Sequence, residues 1–384
     1  MAGPAHERSG LPVSEPIVAR TSRLESLTGL RILAALAVYL SHVETYRHAP
    51  KVVKTFQASG YMGVTLFFVL SGFVLSLNYF EKLRRPSGRA IWAYVVARFA
   101  RIYPLYLVVL VYVIVRTHSD HGAPVTDWLL HVFALQAWSS DVSVAFGLNG
   151  PGWSVSVEIF LYACFPLLVL ALGRLRTLRA LLLTAAGVAL GLLALTAWFA
   201  ASGRGHLPPP DPGSAHRWLY RTPLTRLFDF TLGILAARIY LQTRGRPGVV
   251  RAGSPMVVVG GVLILGLMAW PVHHGSAWSW DLSYAIPGVL VIFGLAVAPL
   301  GRLAKGLSLP AIVLLGEASY AFYLVHQPLL IPLGAGRWAT GLTVSSVAFE
   351  VLTLGLVLAV AVGLHVLVEK PARIWIRRRA RVGA

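Results

Sequence analysis

The chain has 384 residues, 56% of them hydrophobic and only 13% charged, with a mean hydropathy of +0.68. Soluble chains carry nearer ~25% charged residues, which excludes an ordinary cytosolic or secreted enzyme. The formal net charge of +19 invites a nucleic-acid reading. But the basic residues sit in short clusters between long apolar runs, a topology signal, and no nucleic-acid partner is expected. A single cysteine, Cys164, excludes an internal disulfide framework and a cysteine-based metal cage. The expectation is an all-α, multipass transmembrane helical bundle whose main environment is the lipid bilayer.

In chain order, residues 1–22 are polar and lack the apolar stretch of a signal peptide, so they read as a cytoplasmic tail. An integral-membrane domain is expected over 23–373, and a basic cytoplasmic tail over 374–384. A membrane-spanning helix takes ~20 apolar residues. Runs near 27–45, 62–80, 99–116, 153–173, 179–200, 224–241, 255–272, 282–300, 309–332 and 343–368 predict about ten spans. The run 128–138 is too short to span and reads as a re-entrant or interfacial helix. The loop 201–222, with Pro208–Pro209–Pro210, is expected to be irregular. About three quarters of the 34 Lys and Arg residues fall on one side of this arrangement, which puts both termini in the cytoplasm.

Ionisable groups inside spans are costly, so each is a site candidate. Arg31 and His42 share one face of the first span, roughly 16–17 Å apart along the axis. Ser71–Gly72 reads first as a place where another helix approaches closely. Arg98 and Arg101, three apart, either bind phosphate or enforce topology. Ser154, Glu158 and Tyr162, next to Trp153, line one face of the fourth span. Asp229 enters its span with Arg226 as an i−3 partner. Ser319, Tyr323 and His326 share a face, and Pro328 should kink that helix and free a carbonyl near His326. By this mapping His42, Glu158, Asp229 and His326 lie in the outer half of the membrane, above a cationic floor of Arg31, Arg98 and Arg101. His273–His274 lacks a matching acidic cluster, so no metal is expected.

The ordered set LTGLRILAALAVYLSH, GVTLFFVLSGFVL, RFARIYPLY, GPGWSVSVEIFLYACFP, RLFDFTLG, GEASYAFYLVHQP and VEKPAR resembles the membrane acyltransferase-3 family over about residues 24–373. The resemblance implies acyl-CoA as donor and a hydroxyl of a sugar, glycan or macrolide as acceptor. It implies a catalytic His42 and functional arginines at Arg31, Arg98 and Arg101, which suit the phosphates of the donor; Glu158 and His326 are further catalytic candidates, with His326 as base and His42 positioning it as the competing assignment. Trp153, Ser154, Asp229 and Tyr323 are its acceptor-side candidates, Asp229 departing from the Glu expected there. Glu158 or Asp229 is expected to orient His42. From another class, a transporter would also place ionisable groups in the membrane, but neither paired broken helices nor repeated halves are found.

Overall fold

The computed structural model describes residues 17–43, 48–117, 124–280, 282–333 and 344–380. Its helices are α1 (Ile17–His42), α2 (Lys51–Ala58), α3 (Met62–Arg84), α4 (Gly88–Thr117) and α5 (Val125–Val132). After these come α6 (Val142–Ala145), α7 (Gly152–Leu172), α8 (Leu178–Ala201), α9 (Pro223–Thr243), α10 (Pro247–Ala269) and α11 (Leu282–Val297). The chain closes with α12 (Arg302–Leu307), α13 (Pro310–Glu317), α14 (Ser319–Leu333), α15 (Val344–Leu364) and α16 (Lys370–Arg379). Among the described residues there is no strand. A bilayer core offers the backbone no hydrogen-bond partner, and a helix needs none.

Among the described residues, seven segments are long and apolar enough to cross a membrane: Lys51–Arg84, Gly88–Arg116, Gly152–Leu172, Leu178–Ala201, Pro247–Ala269, Ala277–Val297 and Val347–Arg379. The expected runs 27–45, 224–241 and 309–332 fold as helices but are not among them. The physical reason is visible in two of the three. α9 carries Arg226, Asp229 and Arg238 and is buried along most of its length, so it is an inner helix rather than a lipid-facing one. The run 309–332 breaks at Ala318 into α13 and α14.

Two tails are more ordered than expected: α1 begins at Ile17, and α16 is helical through Arg379. Residues 1–16 and 381–384 lie outside the described residues. Part of 201–222 is also regular, since a π-helix runs from His216 to Arg221. Arg221 docks this turn by donating from Nη1 and Nη2 to the Ser139 and Ser140 carbonyls, both at 2.8 Å. As expected, 128–138 does not span: α5 ends at Val132 and a 3-10 turn covers Gln136–Trp138.

α3 and α9 cross at two glycines. A Cβ on Gly72 would lie 2.1 Å from the Phe230 carbonyl oxygen, and one on Gly233 would lie 2.0 Å from that of Val69. Only glycine permits this backbone approach, which is the packing role read for Gly72. The crossing places Arg226 at the bundle centre. Its guanidinium donates to Asp229 (2.8 Å), Thr65 (3.2 Å) and the Tyr220 carbonyl (2.6 Å), and both Arg226 and Asp229 are 0% exposed.

Candidate active site

Behind the α3–α9 crossing, α1, α3, α4, α7 and α14 enclose a cavity of about 850 Å3, part of it open to solvent. Its wall holds Arg31 from α1, Ser71 from α3, Arg98 and Arg101 from α4, and Ser154, Glu158 and Tyr162 from α7. α14 adds Ser319, Tyr320 and Tyr323. The three arginines are therefore brought together on one cavity wall. Ser154, Glu158 and Tyr162 do face one space, at i, i+4 and i+8.

Aromatic rings hold the guanidinium groups in place. Arg98 lies 5.0 Å over the Tyr79 ring and 5.6 Å over that of Tyr162, and donates to the Tyr79 hydroxyl at 3.2 Å. Such contacts fix a planar cation in one orientation. Arg101 stacks 5.9 Å over Tyr320 and forms an ion pair with Glu369. Glu369 closes the π-helix His365–Glu369 and also accepts from His365 Nδ1 at 3.0 Å. Sequence reasoning quoted Glu369 only as part of VEKPAR and gave it no task; nothing local to that segment signals that it meets α4.

Glu158 accepts hydrogen bonds from the Tyr162 and Ser71 hydroxyls, the latter at 3.5 Å. This corrects two expectations. Glu158 shares the arginine cavity rather than a space above it, and its partners are Ser71 and Tyr162, not His42. Ser71 therefore faces chemistry while its neighbour Gly72 supplies the packing. Asp229 is corrected as well. It forms a buried pair with Arg226 and lines neither cavity of the site.

His42 belongs to a second cavity, of about 830 Å3, which shares Val64 and Tyr323 with the first. Its wall includes Ser41, Tyr61, Phe146, Trp153, His216, Tyr220, Trp280 and Gln327. The partner of His42 is His326, with Nε2 of His326 3.4 Å from Nδ1 of His42 and the rings edge-on at 4.9 Å. Nδ1 of His42 also lies 2.9 Å from the Val38 carbonyl oxygen, and Nδ1 of His326 2.7 Å from that of Tyr323. A carbonyl can only accept, so in the neutral rings both Nδ1 atoms carry the hydrogen and both Nε2 atoms are bare. His42 is exposed on the cavity, whereas His326 is 0% exposed. Only His42 offers its free lone pair to a ligand.

Pro328 acts on this pair as expected. Lacking an N–H, it leaves the Leu324 carbonyl without its helical donor, and the Asn149 side chain donates there instead at 3.1 Å. The bond ties the loop before α7 to the turn of α14 that carries His326. The aromatic residues Tyr61, His216, Tyr220 and Trp280 escaped sequence reasoning. Only His216 and Tyr220 share a stretch, the π-helix His216–Arg221, and no periodicity links them to Tyr61 or Trp280.

Guanidinium, carboxylate and imidazole groups gathered inside a helical membrane bundle are the equipment of an enzyme that transfers a charged or polar group. The acyltransferase-3 family model, an acyltransferase domain, matches residues 24–366. The chain is 33% identical over 387 residues to acyltransferase MdmB of Streptomyces mycarofaciens, covering 94% of this chain and 94% of that protein. It is 27% identical over 326 residues to the peptidoglycan O-acetyltransferase OatA of Listeria monocytogenes, covering 79% of this chain but 49% of that protein. A putative O-acetyltransferase of Staphylococcus aureus strain COL is 24% identical over 323 residues, covering 79% of this chain and 50% of that one. The chain thus spans about half the length of the last two relatives. No solved structure matches it. The fold and these matches define a membrane O-acyltransferase. The chain belongs to the acyltransferase-3 family.

Proposed function

We propose that this enzyme moves an acyl group from acyl-CoA to a hydroxyl of a sugar, glycan or macrolide-type acceptor. The observation that carries the reading is the adjacency of the two cavities, which share Val64 and Tyr323 as lining, with three arginines in one and the free Nε2 of His42 in the other. Coenzyme A is polyanionic, and arginine holds phosphate oxygens through paired, charge-assisted hydrogen bonds. Arg31, Arg98 and Arg101 take the donor's phosphates, and the pantetheine arm rises along α1. The rise of an α-helix puts Arg31 and His42 roughly 16–17 Å apart, a span comparable with that arm. Ten spans with both termini cytoplasmic would open the arginine cavity to the cytoplasmic donor pool.

The thioester then lies beside His42. Nε2 takes the proton of the acceptor hydroxyl as its oxygen attacks the thioester carbonyl. The carbon–sulfur bond breaks, and the departing sulfur recovers that proton from the imidazolium. While the ring is charged, Nδ1–H donates to the Val38 carbonyl and Nε2 of His326 is an additional acceptor. His326 is thus a positioning residue. Glu158 balances the charge of the arginines through the donor's absence and presence alike. A covalent acyl-His42 intermediate is the variant of this scheme in which Nε2 attacks the thioester itself.

The test uses detergent-purified protein and acetyl-CoA. Calorimetric titration of the wild type, Arg98→Ala and Arg101→Ala reads donor binding, and release of free thiol with and without acceptor reads transfer. Donor binding that is equal in all three proteins would refute the placement of coenzyme A.

A further inference from the structure

The two cavities differ in chemical character. Three arginines and a glutamate line the first, whereas among the described residues no Lys, Arg, Asp or Glu lines the second. In their place the second carries a continuous aromatic surface. Tyr61 packs against Trp280 at 5.1 Å and against Tyr220 at 5.4 Å between ring centroids, and Tyr220 meets Trp153 at 4.8 Å. His216 closes the surface edge-on to Trp280 at 4.8 Å. Arg226 already covers the Tyr220 ring, at 5.0 Å. Trp280 and Tyr61 are half-buried, so part of each ring still faces the cavity. Burial, with Arg221 and Arg226 nearby, pulls the His216 imidazole down to about 4, so at neutral pH it adds no charge to this wall. Ser41, His42 and Gln327 place hydrogen-bonding groups around the same space.

We propose that this chamber is the acceptor subsite and that it takes an uncharged glycosyl ring, stacked on Trp280 and Tyr61 with one hydroxyl turned toward His42. A pyranose has a C–H face that packs on aromatic rings and an edge of hydroxyls that require hydrogen-bonding partners, and the chamber supplies both. A uronate or a protonated amino sugar would bury a charge with no charged side chain on the chamber wall to pair with, Arg226 being committed to Asp229 and Arg221 to the Ser139 and Ser140 carbonyls, which is costly. For a cation, the aromatic rings offer some compensation but no full counter-charge. The proposal rests on His42 as the base that receives the acceptor's proton.

Saturation-transfer NMR on the detergent-solubilised full chain, without donor, tests the subsite independently of acyl-CoA. The probes are methyl glucoside, methyl glucosaminide and methyl glucuronide. Saturation of the C–H protons of the neutral glycoside is expected, with at least about tenfold weaker responses from the two charged ones. Trp280→Ala should abolish the signal and Trp280→Phe should retain most of it. The proposal is overturned by a signal that survives Trp280→Ala, by a stronger response to either charged glycoside, or by no response to any of the three. Acetyl-CoA titration of the same samples separates the outcomes. Lost donor binding with intact glycoside saturation counts against the donor reading alone, and the converse counts against the acceptor subsite alone.

Discussion

His42 ends α1 with its Nδ1 3.4 Å from Nε2 of a fully buried His326 on α14, and both rings are held by backbone carbonyls of their own helices. Each tautomer is set by the fold, and the one free lone pair open to a ligand is Nε2 of His42. Loss of a general base costs ~10²–10⁴-fold in rate. His42→Ala should therefore lose at least about a hundredfold in kcat with unchanged acetyl-CoA affinity. His326→Ala should lose less and displace the pH–rate profile, because it removes a partner of the charged ring but not the base. Thiol release measured across pH checks both, and near-normal turnover of His42→Ala would sink the mechanism.

Arg98 and Arg101 reach the same cavity with different supports, Tyr79 and Tyr162 for one and Glu369 for the other. A hydrogen bond to a charged group contributes ~1.5–3 kcal/mol, roughly ten- to a hundredfold in affinity. Each alanine variant should weaken acetyl-CoA binding by about that factor, and lysine should rescue only part of it. Glu369→Ala should also weaken donor binding, by freeing Arg101 from its fixed orientation, while Glu369→Asp keeps more of it. Titration calorimetry on the wild type and these six variants decides the matter.

Asp229 belongs to the scaffold. Removing one partner of a buried ion pair costs ~3–5 kcal/mol, since the other charge stays buried. Asp229→Ala should accordingly lower the thermal midpoint in detergent sharply. Replacing Arg226 and Asp229 together with apolar residues should recover much of the loss. A stable Asp229→Ala protein with a raised acceptor KM would instead return Asp229 to the acceptor site.

His216 makes stability depend on pH. Its folded pKa of about 4 lies below the ordinary value of 6.5, so between these values the unfolded chain binds the extra proton. Its contribution to stability is full above about pH 6.5 and declines as pH falls toward about 4, by roughly 3 kcal/mol in all. His216→Gln should flatten this part of the stability–pH curve, measured by thermal unfolding from pH 7 to pH 4. An unchanged slope would show that His216 titrates normally.

Reporter fusions test the expected topology. Fusions after Ala201 and Gly275 should report an external location, and fusions at Gly245 and at the C-terminus an internal one. An external C-terminus would overturn the ten-span arrangement read from the basic clusters.

The sequence by itself determined the helices, the membrane environment and which residues share a helix face. These depend on composition and on the fixed 100° and 1.5 Å steps of a helix, so Arg98 with Arg101, and Ser154 with Glu158 and Tyr162, were legible from spacing alone. The partners across helices were decided only by the tertiary structure. Depth along a span suggested that Glu158 or Asp229 would serve His42. Depth says nothing about which way a helix is turned, and rotation gave Glu158 to the arginine cavity and His326 to His42, whereas the Arg226–Asp229 pair within α9 was legible from its spacing. The π-helix at 216–221, the break at Ala318 and the meeting of Glu369 with Arg101 likewise arise from packing between distant segments, where no periodicity within one segment records them. The aromatic chamber is the extreme case. Its rings converge where the segments leading into α3, α9 and α11 meet, which brings Tyr61, Tyr220 and Trp280 to one place.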